Sequence, residues 1–401
     1  MKILLHDYSG HAFLLQLARE LARNGHELLH VHFAGFQTPK GKVGRRPDDP
    51  PRFETRGLVL QEAFAKHSYL KRLSQEFAYG RLLARTIEEW RPDVVFSSNC
   101  PLDPQHLAQN AAVRLGIPFI FWVQDIYSVA IANVLRRKFP GVGWLVGARY
   151  ISLEKKLLRR SARAIVITED FVPVLTGWGV DRSRIDVVEN WAAREELPQR
   201  PKDNPWSRAQ GLHDRLVFMY SGSIGLKHDP GLLLAVAEAF KDRPEIQVVV
   251  VSDGPPMDWL RQHGAGLNNL RLLPFQPYEM LPDVVATGDI LMAVLDPEAG
   301  VYSVPSKVLT YLCARRPLLA SLPLENLASR ILLRENAGVV GAAGDREAFV
   351  AGARRLAADP VLRATMADNG LAYANRTFDI TSVAARISKI AHQARAHTGG
   401  F

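Results

Sequence analysis

Short apolar runs alternate along the chain with longer amphipathic stretches. Lys2–Leu5 reads as a strand. His11–Asn24 follows, with Phe13, Leu14, Leu17, Ala18 and Leu21 at the spacing of one helical face, and Gly25 closes it. Leu28–Phe33 is the next strand. Further strands are predicted at Asp93–Ser97, Pro118–Val123, Ala164–Thr168 and Ile185–Val188, with helices at about Leu70–Trp90, Pro104–Leu115 and Val146–Arg160. The rhythm then restarts, with strands at Leu216–Ser221, Gln247–Val251, Leu270–Pro274, Asp289–Leu295, Pro317–Ser321 and Gly338–Gly341. Strands that alternate with helices imply parallel sheets covered on both faces. The expected class is α/β.

Between the halves, Ala192–Asp214 is rich in Pro, Arg, Asn and Glu and has little apolar periodicity, as an interdomain linker would. A chain of 401 residues suits two domains of about 150–200 each. Doubly wound sheets hold ligands at the carboxyl ends of their strands. Two of them facing across a cleft suit a two-substrate reaction. Gln37–Gly57 is a long loop rich in Pro, Gly and Arg, of the kind that is mobile or functional.

The strand ends carry the candidate chemistry. Tyr220-Ser-Gly-Ser-Ile-Gly-Leu-Lys-His228 joins a strand to a helix that starts near Pro230. Gly222 and Gly225 let backbone approach a ligand, and Lys227 offers a compact cation for phosphate. It is neither a dinucleotide fingerprint nor a Walker A loop, and a plain tight turn looks the same. Asp253-Gly254 makes another sharp turn. Phe275-Gln276 follows the next strand, where Phe275 faces either a nucleobase or the core. Ser303-Val-Pro-Ser-Lys307 opens a helix, with Pro305 where a missing N–H costs nothing. Its serines, its lysine and the first amides make an anion pocket, unless Ser306 is only a cap. In the first half, Gly10 permits close approach at the end of the first strand, and His11 stands beside it. Asp125 ends another strand and either caps the next helix or faces the ligand.

Charge sharpens the picture. The net charge is +9 and the pI about 9.6, which favours acidic partners. From Val134 to Arg163 nine Lys or Arg (Arg136, Arg137, Lys138, Arg149, Lys155, Lys156, Arg159, Arg160 and Arg163) face one acid, Glu154, an excess of nine minus one, or +8. Trp144, Leu145, Val146 and Tyr150 are interleaved. Such a helix reads as a membrane-surface element or as a solvated helix with an ordinary core face. No nucleic-acid motif accompanies it, and nucleic acid is not an expected partner. Two cysteines far apart, Cys100 and Cys313, argue against a disulfide framework or a cysteine zinc site and fit a reducing cytosol. His6 and Asp7 break the first apolar run too early for a signal peptide, and no run is long enough to span a bilayer.

Together these residues resemble the family-4 retaining glycosyltransferases of the GT-B fold, in particular bacterial enzymes of O-antigen, colanic acid and exopolysaccharide synthesis. The carriers are Ser9-Gly-His-Ala-Phe13, Gln16-Leu-Ala-Arg-Glu-Leu-Ala-Arg-Asn-Gly-His26, Gln124-Asp125, Val188-Glu-Asn-Trp191, Ser221-Gly-Ser-Ile-Gly225, Asp253-Gly-Pro255, Phe275-Gln-Pro277 and Val304-Pro-Ser-Lys-Val308. The resemblance implies an acceptor domain over 1–195, a nucleotide-sugar domain over 196–377 and a last helix, about 378–395, that crosses back onto the first. It implies a UDP- or GDP-sugar donor, a polyprenyl-diphosphate-linked acceptor, no metal or other cofactor, and an enzyme lying on the inner face of the cytoplasmic membrane. Lys227 matches the family's diphosphate contact. Ser223 stands where many members carry Arg or Asn. Asp125 lies where members place a catalytic histidine or acid, and His11 falls on the acceptor side.

One departure stands out. Many members carry two glutamates on the sugar and the ribose, and here those places fall on Tyr302 and Thr310. A hydroxyl accepts less strongly than a carboxylate. The resemblance therefore leaves room for a catalytically degenerate sugar-nucleotide-binding protein. A nicotinamide-dependent oxidoreductase shares the fold class, but the dinucleotide fingerprint is absent.

Overall fold

The computed structural model describes residues 1–35, 43–62, 68–139, 141–225, 228–300 and 304–398. The chain divides into two compact units, Met1–Glu189 with Ile380–Phe401, and Asn190–Asp379. Each is an open parallel sheet flanked by helices.

The first sheet holds β1 (Lys2–Asp7), β2 (Glu27–Phe33), β3 (Phe53–Leu58), β4 (Val94–Ser98), β5 (Phe119–Val123), β6 (Arg163–Val166) and β7 (Ile185–Val187), in the order β3-β2-β1-β4-β5-β6-β7. Neighbours run parallel throughout. Every residue of β4 and β5 is buried, as strands covered on both faces require. The helix Ile380–Thr398 packs on the helix Ala12–Arg23, and His26 Nε2 lies 3.0 Å from Ser388 Oγ.

The second sheet holds β8 (Leu216–Ser221), β9 (Ile246–Val251), β10 (Leu270–Leu273), β11 (Ile290–Val294), β12 (Leu318–Ser321) and β13 (Gly338–Gly341), in the order β10-β9-β8-β11-β12-β13. Its core joins Phe218, Val250 and Met292 of the sheet to Val236 and Phe349 of the helices Pro230–Ala239 and Arg346–Ala358. Each such side chain stabilises the fold by roughly 1.5–3 kcal/mol on burial.

Three features depart from the sequence reading. The loop read over Gln37–Gly57 contains most of an edge strand, β3. Its Glu54, Arg56 and Gly57 hide the pattern, because only Phe53 and Leu58 are buried. The stretch read as a linker carries a short helix, Pro205–Ala209, set by a capping box rather than by periodicity: Asn204 Oδ1 accepts from the Ser207 N–H at 2.9 Å, and Ser207 Oγ accepts from the Asn204 N–H at 3.0 Å. Finally, β1 runs two residues past Leu5. His6 and Asp7 are fully buried, although their polarity ends the apolar run.

Candidate functional site

In the first unit the strand order reverses between β1 and β4. Connections there leave in opposite directions and open a crevice at the carboxyl ends. Asp7 ends β1 in register with Ser98 of β4. Gly10 makes the turn with φ 70°, a value that favours glycine, and donates its N–H to the Asp7 carbonyl at 3.1 Å. This delivers His11 to the start of the helix Ala12–Arg23. There the His11 amide donates to the Asp7 carboxylate, and His11 Nδ1 lies 3.2 Å from both carboxylate oxygens. Asn99, just past β4 with φ 55°, donates Nδ2 to Asp7 Oδ1 at 3.0 Å. Burial alone would raise the Asp7 carboxyl. The ring and amide of His11 outweigh it and hold the group well below the usual carboxylate range. Behind it, His6 meets Ser97 Oγ and the Tyr79 hydroxyl at 2.8 Å each, and His30 Nδ1 lies 3.2 Å from Thr55 Oγ1. Burial pushes both imidazoles down to about 3, so they stay neutral.

Asp125 follows the end of β5 and is half-buried. It is not the cap of the helix Tyr127–Lys138; Ile126 holds that position. Its helix start is instead held from across the fold. The Ser128 N–H donates to Glu154 Oε2 at 3.0 Å, from the helix Val142–Arg160. Glu154 is fully buried, and among the described residues its Oε1 has no partner. Burial pushes its carboxyl up to about 7, and the charge of Asp125 acts in the same direction.

In the second unit the order reverses between β8 and β11. Tyr311, on the helix Ser306–Cys313, clamps the end of β8: its hydroxyl accepts from the Ser221 N–H and donates to the Ser221 carbonyl, both at 2.9 Å. Gly222 follows with φ 134°. The Tyr220 hydroxyl donates to the Ser223 carbonyl at 3.0 Å and accepts from Lys307 Nζ, which lies 3.6 Å from the centre of the Tyr220 ring. A Cβ at Gly222 would sit 3.5 Å from that ammonium, so the two are neighbours. Burial pushes the Lys307 ammonium down to about 7. Pro305 occupies the cap position of the helix, no side chain caps it, and the exposed Ser306 is its first residue. Ammonium, glycine backbone and helix start thus meet at one strand end, an arrangement suited to an anion.

The remaining residues fall as follows. Lys227, Tyr302 and Ser303 lie outside the described residues. Ser223 is exposed, and Gly225 donates its N–H to His228 Nδ1 at 3.1 Å. Asp253 accepts from the Gly254 N–H at 2.7 Å, closing its own turn, where Gly254 has φ 89°. Phe275 is half-buried. The Gln276 amide accepts from Trp206 Nε1 at 3.0 Å and donates to the Pro274 carbonyl at 2.9 Å. Thr310 lines a cavity of about 10 Å³ with Leu197, Arg200, Val285 and Ala314. Among the described residues no cluster of His, Cys, Asp or Glu could hold a metal ion, and Cys100 and Cys313 are buried free thiols.

Two cations of the basic run Val134–Arg163 meet an acid within the fold, and three more meet neutral groups. Arg149 pairs with Asp103 at 2.7 Å and Arg163 with Asp186 at 2.7 Å. Arg159 Nε donates to the Trp178 carbonyl at 2.6 Å, Arg160 donates to Asn110 Oδ1 at 2.8 Å, and Lys155 lies over the Trp178 ring. The count along the sequence missed these partners because they come from other elements. Arg136 and Lys156 are exposed; the side chains of Arg137 and Lys138 lie outside the described residues. Beside these cations the helix pair also exposes apolar side chains: Phe139 at 47 %, Val142 at 67 %, Trp144 at 56 % and Leu145 at 64 %. No helix among the described residues is long and apolar enough to cross a membrane.

Residues 10–191 match the glycosyl transferase 4-like domain, and residues 215–359 match the glycosyl transferases group 1. The two matches take in most of the chain, one on each sheet. The chain belongs to the family-4 glycosyltransferases. Over 228 residues this glycosyltransferase is 24 % identical to a protein of Escherichia coli K12 assigned to colanic acid biosynthesis, the glycosyl transferase WcaI. That alignment takes in 55 % of the chain and spans about half, 54 %, of the relative. Its fold is similar to that of HepE from Anabaena, solved with UDP and glucose (TM-score 0.70, 15 % identical, 97 % of this chain and 98 % of that one). It is also similar to that of WaaG, a glycosyltransferase involved in lipopolysaccharide biosynthesis (TM-score 0.67, 14 % identical, 98 % and 99 % covered). The fold is GT-B, with two Rossmann-like domains.

Four groups of this glycosyltransferase escaped the sequence reading. Asp7 and Asn99 were hidden because a polar strand end reads as the end of the strand. The four-residue spacing of Asp7 and His11 was the available signal. Tyr220 and Tyr311 stood inside or beside the quoted turns, but nothing in the sequence tells that their hydroxyls face the same strand end.

Proposed function

We propose that the protein transfers a sugar from a nucleotide-diphosphate donor, UDP- or GDP-linked, to a polyprenyl-diphosphate-linked glycan in the synthesis of a bacterial surface polysaccharide. The observation that carries the reading is the meeting of Lys307, Gly222 and the uncapped helix start at the carboxyl end of β8. A leaving diphosphate gains negative charge, and preorganised donors at that point lower the barrier. Lys227, Tyr302 and Ser303 belong to the same turns by sequence. The names of the relatives support the context: colanic acid for WcaI, lipopolysaccharide for WaaG, and bound UDP and glucose for HepE.

In this reading the first unit binds the acceptor. Asp125 stabilises the positive charge that develops on the sugar ring, attack from the front face retains the anomeric configuration, and no metal is required. The exposed Phe139, Val142, Trp144 and Leu145, with the exposed Arg136 nearby in the sequence, rest on the inner leaflet of the cytoplasmic membrane. A long-chain acceptor is then presented at the surface where the enzyme lies.

The test is a thermal-shift screen with UDP-, GDP-, ADP- and dTDP-sugars, followed by transfer of the labelled sugar of the stabilising donor to lipid-linked intermediates. Labelled product with the anomeric configuration of the donor, in the presence of EDTA, is the expected result. Donor binding with neither transfer nor hydrolysis identifies a degenerate sugar-nucleotide-binding protein instead.

A further inference from the structure

The first unit carries a cavity at the β3 edge of its sheet. Its volume is about 580 Å³, within the range of about 300–1,000 Å³ that small-ligand sites occupy. Among the described residues, one wall is the stretch that leaves β3, with Val59, Leu60 and Glu62. The other wall is one face of the helix Tyr69–Trp90. Lys71, Ser74, Ala78, Arg81, Leu82 and Arg85 share that face because they recur at steps of three and four. Glu62 spans the two walls, 3.0 Å from Lys71.

Two features say what the cavity takes. The first is unanswered positive charge. Lys71 has Glu62, but among the described residues no acid pairs with Arg81 or Arg85, both exposed. Glu76 and Glu88 of the same helix are engaged by Arg72 and Arg114. Like charges four residues apart repel, and an anion held between them removes the repulsion. Guanidinium groups bind phosphate oxygens through paired N–H bonds. The second feature is apolar surface beside that charge. Val59 is 69 % exposed, and Leu60, Ala78 and Leu82 are half-buried. A bare anion would leave this surface in water, and a bare hydrocarbon would leave the arginines without counter-charge. An amphiphile with an anionic head satisfies both. The helix also packs on Leu102–Arg114, which packs on Val142–Arg160, so the cavity belongs to the same layer of helices as the exposed Trp144 and Leu145.

We propose that this cavity binds the lipid stem of the acceptor, a polyprenyl diphosphate. Arg81 and Arg85 hold its phosphates, and the first units of the chain lie along Val59, Leu60, Ala78 and Leu82. This assignment rests on the transfer function proposed above, and places the acceptor's lipid end in the first unit.

The experiment uses the full-length chain as wild type, as Arg81→Gln with Arg85→Gln, and as Ala78→Trp, which fills the cavity from its helical wall. Thermal melts show that the variants fold. Calorimetry measures binding of farnesyl diphosphate, with farnesol and inorganic diphosphate as the separate halves of the probe. Farnesyl diphosphate should bind wild type and lose about 10–100-fold in affinity in the double variant, as loss of charge-assisted hydrogen bonds does. It should weaken in Ala78→Trp as well, whereas inorganic diphosphate should not. The acceptor KM for lipid-linked intermediates should rise by a similar factor in the double variant. Farnesyl diphosphate bound equally by all three proteins overturns the assignment. So does a loss in the double variant that inorganic diphosphate shares in full while Ala78→Trp changes nothing, since that describes a plain anion site. Wild type that transfers sugar, with acceptor KM unchanged in both variants, overturns the cavity assignment and keeps the transfer reading. Wild type that transfers nothing, yet binds farnesyl diphosphate through these residues, overturns the transfer reading and keeps the lipid-diphosphate site.

Discussion

At the end of β1 the polar groups are a carboxylate and an imidazole; at the end of β8 they are an ammonium and two phenols. Both clusters sit where the strand order of an open parallel sheet reverses. The topology supplies the same crevice twice, and the side chains give the two copies opposite electrostatic tasks. Asp7 keeps its charge because His11 and backbone answer it. Lys307 has a phenol and an aromatic face beside it, and burial drives its proton off near neutrality. The first edge holds a settled negative charge, and the second a cation whose proton is loosely held.

The most severe way to break this division is Lys307→Met. It should lower kcat/KM for the donor by about 10²–10³-fold, as loss of a preorganised donor does, while the melting temperature holds or rises because a desolvated amine is gone. Wild-type donor affinity in that variant would remove the anion site from β8.

Glu154 tests the first unit through pH. Its folded pKa of about 7 lies above the ordinary 4.5, so the folded state keeps a proton that the unfolded state releases. The stability this confers is complete below pH 4.5 and is lost as pH rises through 7, by about 3 kcal/mol at one pKa unit per 1.36 kcal/mol. Melting temperature should fall from pH 5 to 8 in wild type and stay flatter in Glu154→Gln; equal slopes would exclude this carboxyl as the cause.

Tyr311→Phe removes both hydrogen bonds that hold Ser221 and should cost about 1–2 kcal/mol in denaturant unfolding, with a weaker donor. An unchanged midpoint would show that β8 needs no clamp. Smallest in stability is Trp144→Ser with Leu145→Ser. Exposed positions change stability by about 0.5 kcal/mol or less, yet pelleting with anionic vesicles should drop clearly if these side chains meet a membrane.

The alternation of strands and helices was legible because buried parallel strands such as Phe119–Val123 are continuous apolar runs. β3 was not, since an edge strand with Glu54 and Arg56 outward needs no such run. The glycine turns at 10, 222 and 254 were readable because positive φ selects glycine. Partnerships across the chain were not. Nothing local announces that Arg149 answers Asp103 from 46 positions away, or that Tyr311 and Ser221 meet from 90. The acid partner of Arg163, Asp186, was hidden for the same reason.

On the function proposed above, the amine of Lys307, poised near neutrality, makes nucleotide capture a protonic event. A diphosphate arriving at β8 favours the charged form, so each complex formed above pH 7 should draw a hydrogen ion from the buffer. Calorimetric titrations in phosphate and in Tris would then differ in heat by the difference in buffer ionisation enthalpy, and donor affinity would weaken steadily as the medium turns alkaline.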